Sequence, residues 1–205
     1  MRTRTVLLRH GPGTGQPGDR CAIQEHRARL GLDPKSDAVP KTDCWVLVRA
    51  VTVFNDLFPP TVKGAKVRTT TLLPYLDLLT GTRAAEETEW KRAWAAVDVV
   101  ARVIAADELA RADFGDLAVA LRELAPLVGS ATGKQALAVL EEAYCSGRGC
   151  SYASSAANVI HVAIANDDLV GTVVVAARAA AGVDGFATNV KRILDAMFRS
   201  TEADE

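Results

Sequence analysis

The sequence predicts a mainly α protein, a single-domain bundle of several helices with a short N-terminal strand or hairpin. Apolar residues recur at intervals of three and four through much of the 205-residue chain, as on the buried face of a helix. Alanine and valine fill the second half, and only Pro74 and Pro126 follow Pro60. The apolar run Val6-Leu7-Leu8, followed by a stretch rich in glycine and proline, predicts the strand and its turn.

The first half contains the clearest amphipathic helix, over residues 43–58. Leu47, Val51 and Phe54 share its apolar side, and Arg49 lies on the polar side. Thr42 or Asp43 is expected to cap this helix, and Pro59-Pro60 ends it. An earlier helix opens at Cys21, and others are expected over residues 69–79 and 84–109, the last with Trp90 and Trp94 on its buried stripe.

The second half predicts shorter helices with small side chains, which allow neighbouring helices to approach closely. They span residues 117–127, 134–144, 152–165, 169–181 and 187–198. The β-branched run Val173-Val174-Val175 favours a strand, but the flanking alanines favour a helix. We treat residues 1–205 as one helical domain, with a subdivision into residues 1–110 and 111–200 as the alternative.

The charge balance excludes two classes of partner. With 24 Lys and Arg against 25 Asp and Glu, the formal net charge of −1 provides no global field to attract nucleic acid or an anionic membrane. No apolar run approaches the roughly 18 residues of a membrane span. We therefore expect a cytoplasmic protein with no nucleic-acid or membrane partner, and with its four cysteines reduced.

Residues 9–29, RHGPGTGQPGDRCAIQEHRAR, form the segment that is richest in chemistry. The glycines suggest a phosphate loop, but no Lys-Ser or Lys-Thr follows, and Pro17 interrupts the spacing of a dinucleotide-binding loop. Arg9-His10-Gly11 matches the start of the histidine phosphatase signature, yet the rest of that signature is missing. The segment is expected to be a loop or hairpin tip.

Cys21 is the candidate nucleophile of an alternative, enzymatic interpretation. Amides at the start of a helix stabilise a thiolate, which is the usual way to activate a cysteine. His26 lies five residues along the helix and points away from Cys21, so His10 or His161 would have to act as the base. This alternative is a cysteine-dependent hydrolase or transferase that uses Cys21 with His10.

A metal site is a weaker alternative, and no cofactor or metal is expected. Cys145 and Cys150 could reach one zinc ion together with Cys21, Cys44 or His161. The ordinary explanation is that these cysteines pack at helix ends.

A group of polar, charged and aromatic side chains forms the candidate ligand site. If the glycine-rich segment folds over the helix that opens at Asp43, His10 and Cys21 come close to Cys44 and Asn55. Aromatic walls with a few hydrogen-bonding groups are typical of small-molecule sites. The candidate ligand-binding residues are Arg9, His10, Cys21, Asp43, Trp45, Arg49, Asn55 and Asp56.

Residues 21–105 resemble an uncharacterised family of small proteins from actinobacteria and their tailed phages. The resemblance rests on Cys21, on Asp43-Cys44 and Phe54-Asn55-Asp56 at the two ends of one helix, on Leu73-Pro74-Tyr75-Leu76 and on Leu79-Thr80-Gly81-Thr82-Arg83. Such proteins often continue into alanine-rich helices, as this chain does. The resemblance implies a phage context but no mechanism.

Together these features favour a non-enzymatic protein that binds a small molecule. We expect a phage counter-defence protein that sequesters a nucleotide-derived signal, with Arg9, Arg49, Arg68 and Arg83 as phosphate ligands. A helical protein-interaction module remains a third alternative, and a homo-oligomer remains open.

Overall fold

The computed structural model describes residues 6–36, 38–145, 151–165 and 168–201, and most of them are helical. A π-helical segment, Val99–Ala105, joins the α-helices Glu86–Asp98 and Ala106–Arg111. The helices in chain order are α1 Ala22–Arg29, α2 Trp45–Leu57, α3 Val62–Leu78, α4 Glu86–Asp98, α5 Ala106–Arg111, α6 Gly115–Glu123, α7 Ser130–Cys145, α8 Ser151–Ala165, α9 Leu169–Ala181 and α10 Phe186–Arg199. The prediction of a mainly α fold built as a helical bundle is confirmed.

The predicted N-terminal strand does not form within the described residues. Leu8 makes only an isolated parallel bridge with Arg20. The reason lies in α3: the Leu8 amide donates to Thr69 Oγ1 at 2.8 Å, and the Leu8 carbonyl accepts from Arg68 Nη1 at 2.7 Å. Because side chains of a helix satisfy the Leu8 backbone, this apolar segment needs no partner strand.

The chain divides into two compact units, Met1–Ala84 and Ala85–Glu205. This boundary lies well before the predicted subdivision at residue 110. The prediction that the whole chain is a single domain stays a prediction.

The first unit is built around α2, whose apolar side packs against α3. Leu47, Val51 and Phe54 are fully buried, as are Leu72 and Leu76. The cap of α2 differs from the prediction, because Cys44 precedes the helix and its Sγ accepts from the Leu47 amide at 3.3 Å. The predicted period of α2 is correct, but its first residue shifts by two.

Helix α3 begins seven residues before the predicted start at residue 69. Thr61 caps it and accepts a hydrogen bond from the Gly64 amide at 3.0 Å. Gly64 lies directly under Pro59, where an added Cβ would come 2.1 Å from the Pro59 carbonyl oxygen. Pro74 lies inside the helix. The sequence gives no signal for this early start, because Val62 and Val67 are exposed and the first two turns have no apolar period.

The second unit is organised around the π-helical segment, which contacts α6, α8, α9 and α10. Val100, Ala101 and Ile104 of this segment are buried. Arg102 pairs with Asp98 at 2.6 Å and donates to the Leu124 carbonyl at 2.9 Å, which ties the segment to the chain after α6. The single helix predicted over residues 84–109 therefore consists of three consecutive segments, which are α4, the π-helical segment and α5.

Close helix packing in this unit follows the small side chains, as predicted. An added Cβ on Gly133 of α7 would lie 3.1 Å from the Trp94 ring of α4. Trp94 is buried, whereas Trp90 is only half-buried. Helix α9 has the predicted bounds, so Val173, Val174 and Val175 are helical.

Candidate functional site

The glycine-rich loop, residues 9–20, is folded around a carboxylate of its own. Asp19 forms an ion pair with the Arg9 guanidinium, and its Oδ2 accepts from the Thr14 amide at 2.9 Å. The hydrogen bonds from Thr14, together with Arg9, lower the pKa of Asp19 to about 2. The loop therefore holds a carboxylate of its own chain, through one backbone amide and the Arg9 guanidinium.

Gln24 of α1 fixes the middle of this loop. Its Oε1 accepts from the Gly13 amide at 2.9 Å and from the Cys21 amide at 3.1 Å, and its Nε2 donates to the Gly13 carbonyl at 2.9 Å. An added Cβ on Gly13 would come 2.0 Å from the Asp19 carbonyl oxygen. Only glycine fits where the two sides of the loop approach this closely.

Asn55 and Asp56, at the end of α2, hold the glycine-rich loop against the rest of the first unit. Asn55 Oδ1 accepts from the Ala22 amide at 3.2 Å, and Asn55 Nδ2 donates to the Arg9 carbonyl at 3.0 Å. Asp56 Oδ1 accepts from the Gly11 amide at 3.1 Å. The expected proximity of Asn55 to the glycine-rich segment is thus present.

Arg68 is fully buried beneath the same region. Its guanidinium donates to the carbonyls of Leu8 at 2.7 Å and Asn55 at 3.0 Å, and also to those of Phe58 and Pro59. Burial lowers the pKa of Arg68, and the nearby charge of Asp56 opposes that effect. Arg68 is therefore occupied by backbone carbonyls, which contrasts with its predicted role as a phosphate ligand. The sequence signal for the burial of Arg68 was its position four residues before the buried Leu72, on the same face of the helix.

An open cleft of about 420 Å³ lies between the glycine-rich loop and the first turn of α3. Arg9 and His10 line one side, and Pro60, Thr61, Val62 and Ala65 line the other, with Arg68 at its edge. Arg9 and His10 are exposed. The first amides of a helix lack acceptors within the helix and carry a partial positive charge, so this wall favours an anion. We call this space the Arg9 cleft.

Three predicted site residues lie at the opposite end of α2. Trp45 opens the helix and Asn55 lies in its last turn, and ten residues at 1.5 Å each separate them by about 15 Å. Asp43 precedes Trp45, and Arg49 follows it by one turn with an exposed side chain. Cys44 also lies at this end, so the predicted neighbourhood of His10, Cys21, Cys44 and Asn55 is only partly formed.

Asp43 belongs to a buried pair that the sequence analysis missed. Its Oδ2 lies 2.6 Å from His26 Nε2, and its Oδ1 accepts from Thr42 Oγ1 at 2.9 Å. Both partners are almost completely inaccessible to solvent. The pair joins α1 to the start of α2 and leaves Asp43 unavailable to an external ligand. The spacing of seventeen residues between the two gave no periodic signal.

Cys21 lies at the start of α1, as predicted, but it is half-buried. Burial raises the pKa of the Cys21 thiol and outweighs the hydrogen bonds from the Gln24 and Ile23 amides, while the Asp56 charge raises it further. A nucleophilic cysteine needs the opposite shift. The surroundings of Cys21 thus give the enzymatic alternative no support.

The described residues contain no group of three His, Cys, Asp or Glu side chains placed to hold a metal ion. Cys145 is exposed, and Cys150 lies outside the described residues.

Arg83, another of the arginines predicted to bind phosphate, lies away from the Arg9 cleft. Its guanidinium donates to the Lys41 carbonyl at 3.0 Å.

Within the described ranges, no helix combines the length and the apolar character needed to cross a membrane. Comparisons of the chain with protein families, with characterised proteins and with solved structures gave no match.

Proposed function

We propose that this chain is a non-enzymatic protein that binds a small anionic molecule in the Arg9 cleft. The observation that carries the proposal is that Arg9 and His10 face the first turn of α3 across an accessible space of about 420 Å³. A guanidinium, an imidazole and the amides of a helix start are three of the groups that proteins use to bind phosphate and carboxylate.

The size and the wall chemistry narrow the ligand class. The cleft falls within the range of about 300–1,000 Å³ that is typical of small-molecule sites. Its lining includes apolar surface from Pro60, Val62 and Ala65, and His10 contributes an aromatic imidazole, whereas no Phe, Tyr or Trp is among the described lining residues. A phosphate or pyrophosphate group fits this lining, and His10 is the ring available to stack on a nucleobase.

The ion pair between Asp19 and Arg9 affects how an anion can bind in the Arg9 cleft. Arg9 is half-exposed and already paired with Asp19, so an incoming anion either shares the guanidinium or displaces that carboxylate. A doubly charged phosphate competes better than a carboxylate of single charge. The proposal therefore favours phosphate-bearing ligands and predicts weakening at high salt.

The narrower proposal is that the ligand is a nucleotide-derived immune signal that a phage protein sequesters. Its support is the resemblance of residues 21–105 to proteins of actinobacteria and their tailed phages, together with the anion-binding character of the Arg9 cleft. The narrower proposal depends on the broader one, because the phosphate groups would provide the recognition.

Isothermal titration calorimetry against inorganic phosphate, pyrophosphate, cyclic nucleotides and ADP-ribose tests both the anion-binding proposal and the narrower nucleotide proposal. At least one of these anions is expected to bind, and Arg9→Gln should weaken that binding about tenfold or more, which is the loss expected for a charged hydrogen bond. The matched control is Arg49→Gln, an exposed arginine outside the cleft. Absence of binding across the panel, or equal losses in both variants, would contradict the proposal.

A further inference from the structure

The second unit contains a separate polar cleft of about 300 Å³, formed by α5, α8, α9 and the turn after α9. Its polar and charged lining residues are Glu108, Ser151, Tyr152, Ser155, Arg178 and Asp184. We call it the Tyr152 cleft. It shares no residue with the Arg9 cleft.

Tyr152 provides the observation that points to a ligand. The residue is 7% exposed, and its hydroxyl is buried without a hydrogen-bond partner among the described residues. Buried hydroxyls are nearly always hydrogen-bonded, because an unpaired one has lost its bond to water without replacement. Tyr152 lines the cleft, so a molecule bound there would remove that cost by displacing the side chains that cover the hydroxyl.

The hydroxyl is a hydrogen-bond donor at neutral pH. Burial raises the pKa of Tyr152, and the negative charge of Glu108 raises it further. The proton therefore stays on the oxygen, and an acceptor atom such as a carboxylate oxygen suits it best.

Charges of both signs surround this donor. Glu108 and Asp184 are carboxylates, and Arg178 is an exposed guanidinium on α9. Glu108 also pairs with Arg111 on α5, which leaves its charge partly neutralised. Ser155 Oγ donates to the Ser151 carbonyl at 3.3 Å, so this hydroxyl is already engaged within α8. The groups left to select a ligand are two acids, one base, the Ser151 hydroxyl and one buried donor.

We propose that the Tyr152 cleft binds a small zwitterion of the amino-acid type. Its ammonium group lies toward Asp184 and Glu108, and its carboxylate lies toward Arg178 and accepts from the Tyr152 hydroxyl. The volume of about 300 Å³ is at the lower end for ligand sites and suits a molecule of this size. Opposite charges at the two ends of one ligand match a lining that contains both carboxylates and a guanidinium.

The test titrates the full chain with the common amino acids at millimolar concentration, using calorimetry and thermal unfolding. At least one amino acid should bind and raise the melting temperature. Tyr152→Phe removes only the hydroxyl and should weaken binding about tenfold, as should Arg178→Gln. The matched control is Tyr144→Phe, whose tyrosine is exposed on α7 and outside the cleft, and which should bind like the wild type.

The ligand-free stability gives a second readout. If the Tyr152 hydroxyl has no partner, Tyr152→Phe should unfold at the same temperature as the wild type or higher. Three results would overturn the proposal: no amino acid binds, both cleft variants bind like the wild type, or an amine without a carboxylate binds as tightly. Because the Arg9 cleft lies in the other unit, Arg9→Gln should leave amino-acid binding unchanged, so the two proposals fail separately.

Discussion

The Asp19 carboxylate accepts a hydrogen bond from the Thr14 amide at 2.9 Å, inside the glycine-rich loop. The loop has the glycines of an anion-binding loop, but its own acid is held by the Thr14 amide and the Arg9 guanidinium, not by glycine amides. This relationship ties Arg9, which lines the Arg9 cleft, to the rest of the loop. The anion site lies beside the loop, not within it.

The first prediction concerns the pH dependence of this loop. The pKa of Asp19 is lowered from 3.8 to about 2, so the interactions of its carboxylate stabilise the fold above the higher value and are lost as the pH falls toward the lower one. Denaturant unfolding at about pH 5 and near pH 2 should show a larger loss for the wild type than for Asp19→Asn. Equal losses would mean that Asp19 does not contribute to folding.

The second prediction concerns Arg68, which bonds the carbonyls of Leu8, Asn55, Phe58 and Pro59. Arg68→Met fills similar space but leaves these carbonyls without their donor, and should lower the free energy of unfolding by about 2–5 kcal/mol. Arg49→Met, at an exposed site on α2, should change it by less than about 0.5 kcal/mol. Similar effects of the two substitutions, measured by urea unfolding, would refute this role.

The third prediction concerns the buried pair of His26 and Asp43. His26→Leu should lower the free energy of unfolding by about 2–4 kcal/mol, because it removes a hydrogen bond to a buried carboxylate. His161→Leu is the matched control, since His161 is exposed on α8. Anion binding in the Arg9 cleft should survive in folded His26→Leu protein. A loss of binding at full folding would instead place His26 in the site.

The fourth prediction separates the binding account from the cysteine-dependent one. Burial raises the pKa of the Cys21 thiol, so Cys21 should react with iodoacetamide at neutral pH about tenfold more slowly than the exposed Cys145. Peptide mapping by mass spectrometry gives both rates in one sample. Faster reaction at Cys21, together with loss of biological activity in Cys21→Ala, would favour the enzymatic alternative.

The fold could be predicted wherever an apolar period reports burial. Helix α2 follows its apolar stripe, and α9 has the predicted bounds because alanines outweigh three valines. The start of α3 could not be predicted in this way, since its first two turns expose Val62 and Val67 and bury Arg68. The predicted strand failed because Leu8 bonds side chains of α3, a contact across about sixty residues that leaves no local pattern.

The candidate site likewise contains some contacts that the sequence could predict and others that it could not. Asn55 lies in the last turn of a helix and was correctly expected close to the glycine-rich segment, whereas the contact of Asp56 with Gly11 was not predicted. Asp43 looked equally available, but its partner His26 satisfies it from another helix. Asp19 escaped notice because its importance comes from hydrogen bonds made in three dimensions, which residue type and spacing do not report.

The most direct test of the Arg9 cleft is a two-dimensional NMR titration of the backbone amides with pyrophosphate. We predict saturable shifts concentrated at the residues that line the cleft, Arg9 and His10 on the loop and Thr61 and Val62 at the start of α3, with much smaller shifts in Arg9→Gln protein. Shifts that centre on Trp45 and Arg49, that fall only in the second unit, or that never saturate would contradict the account.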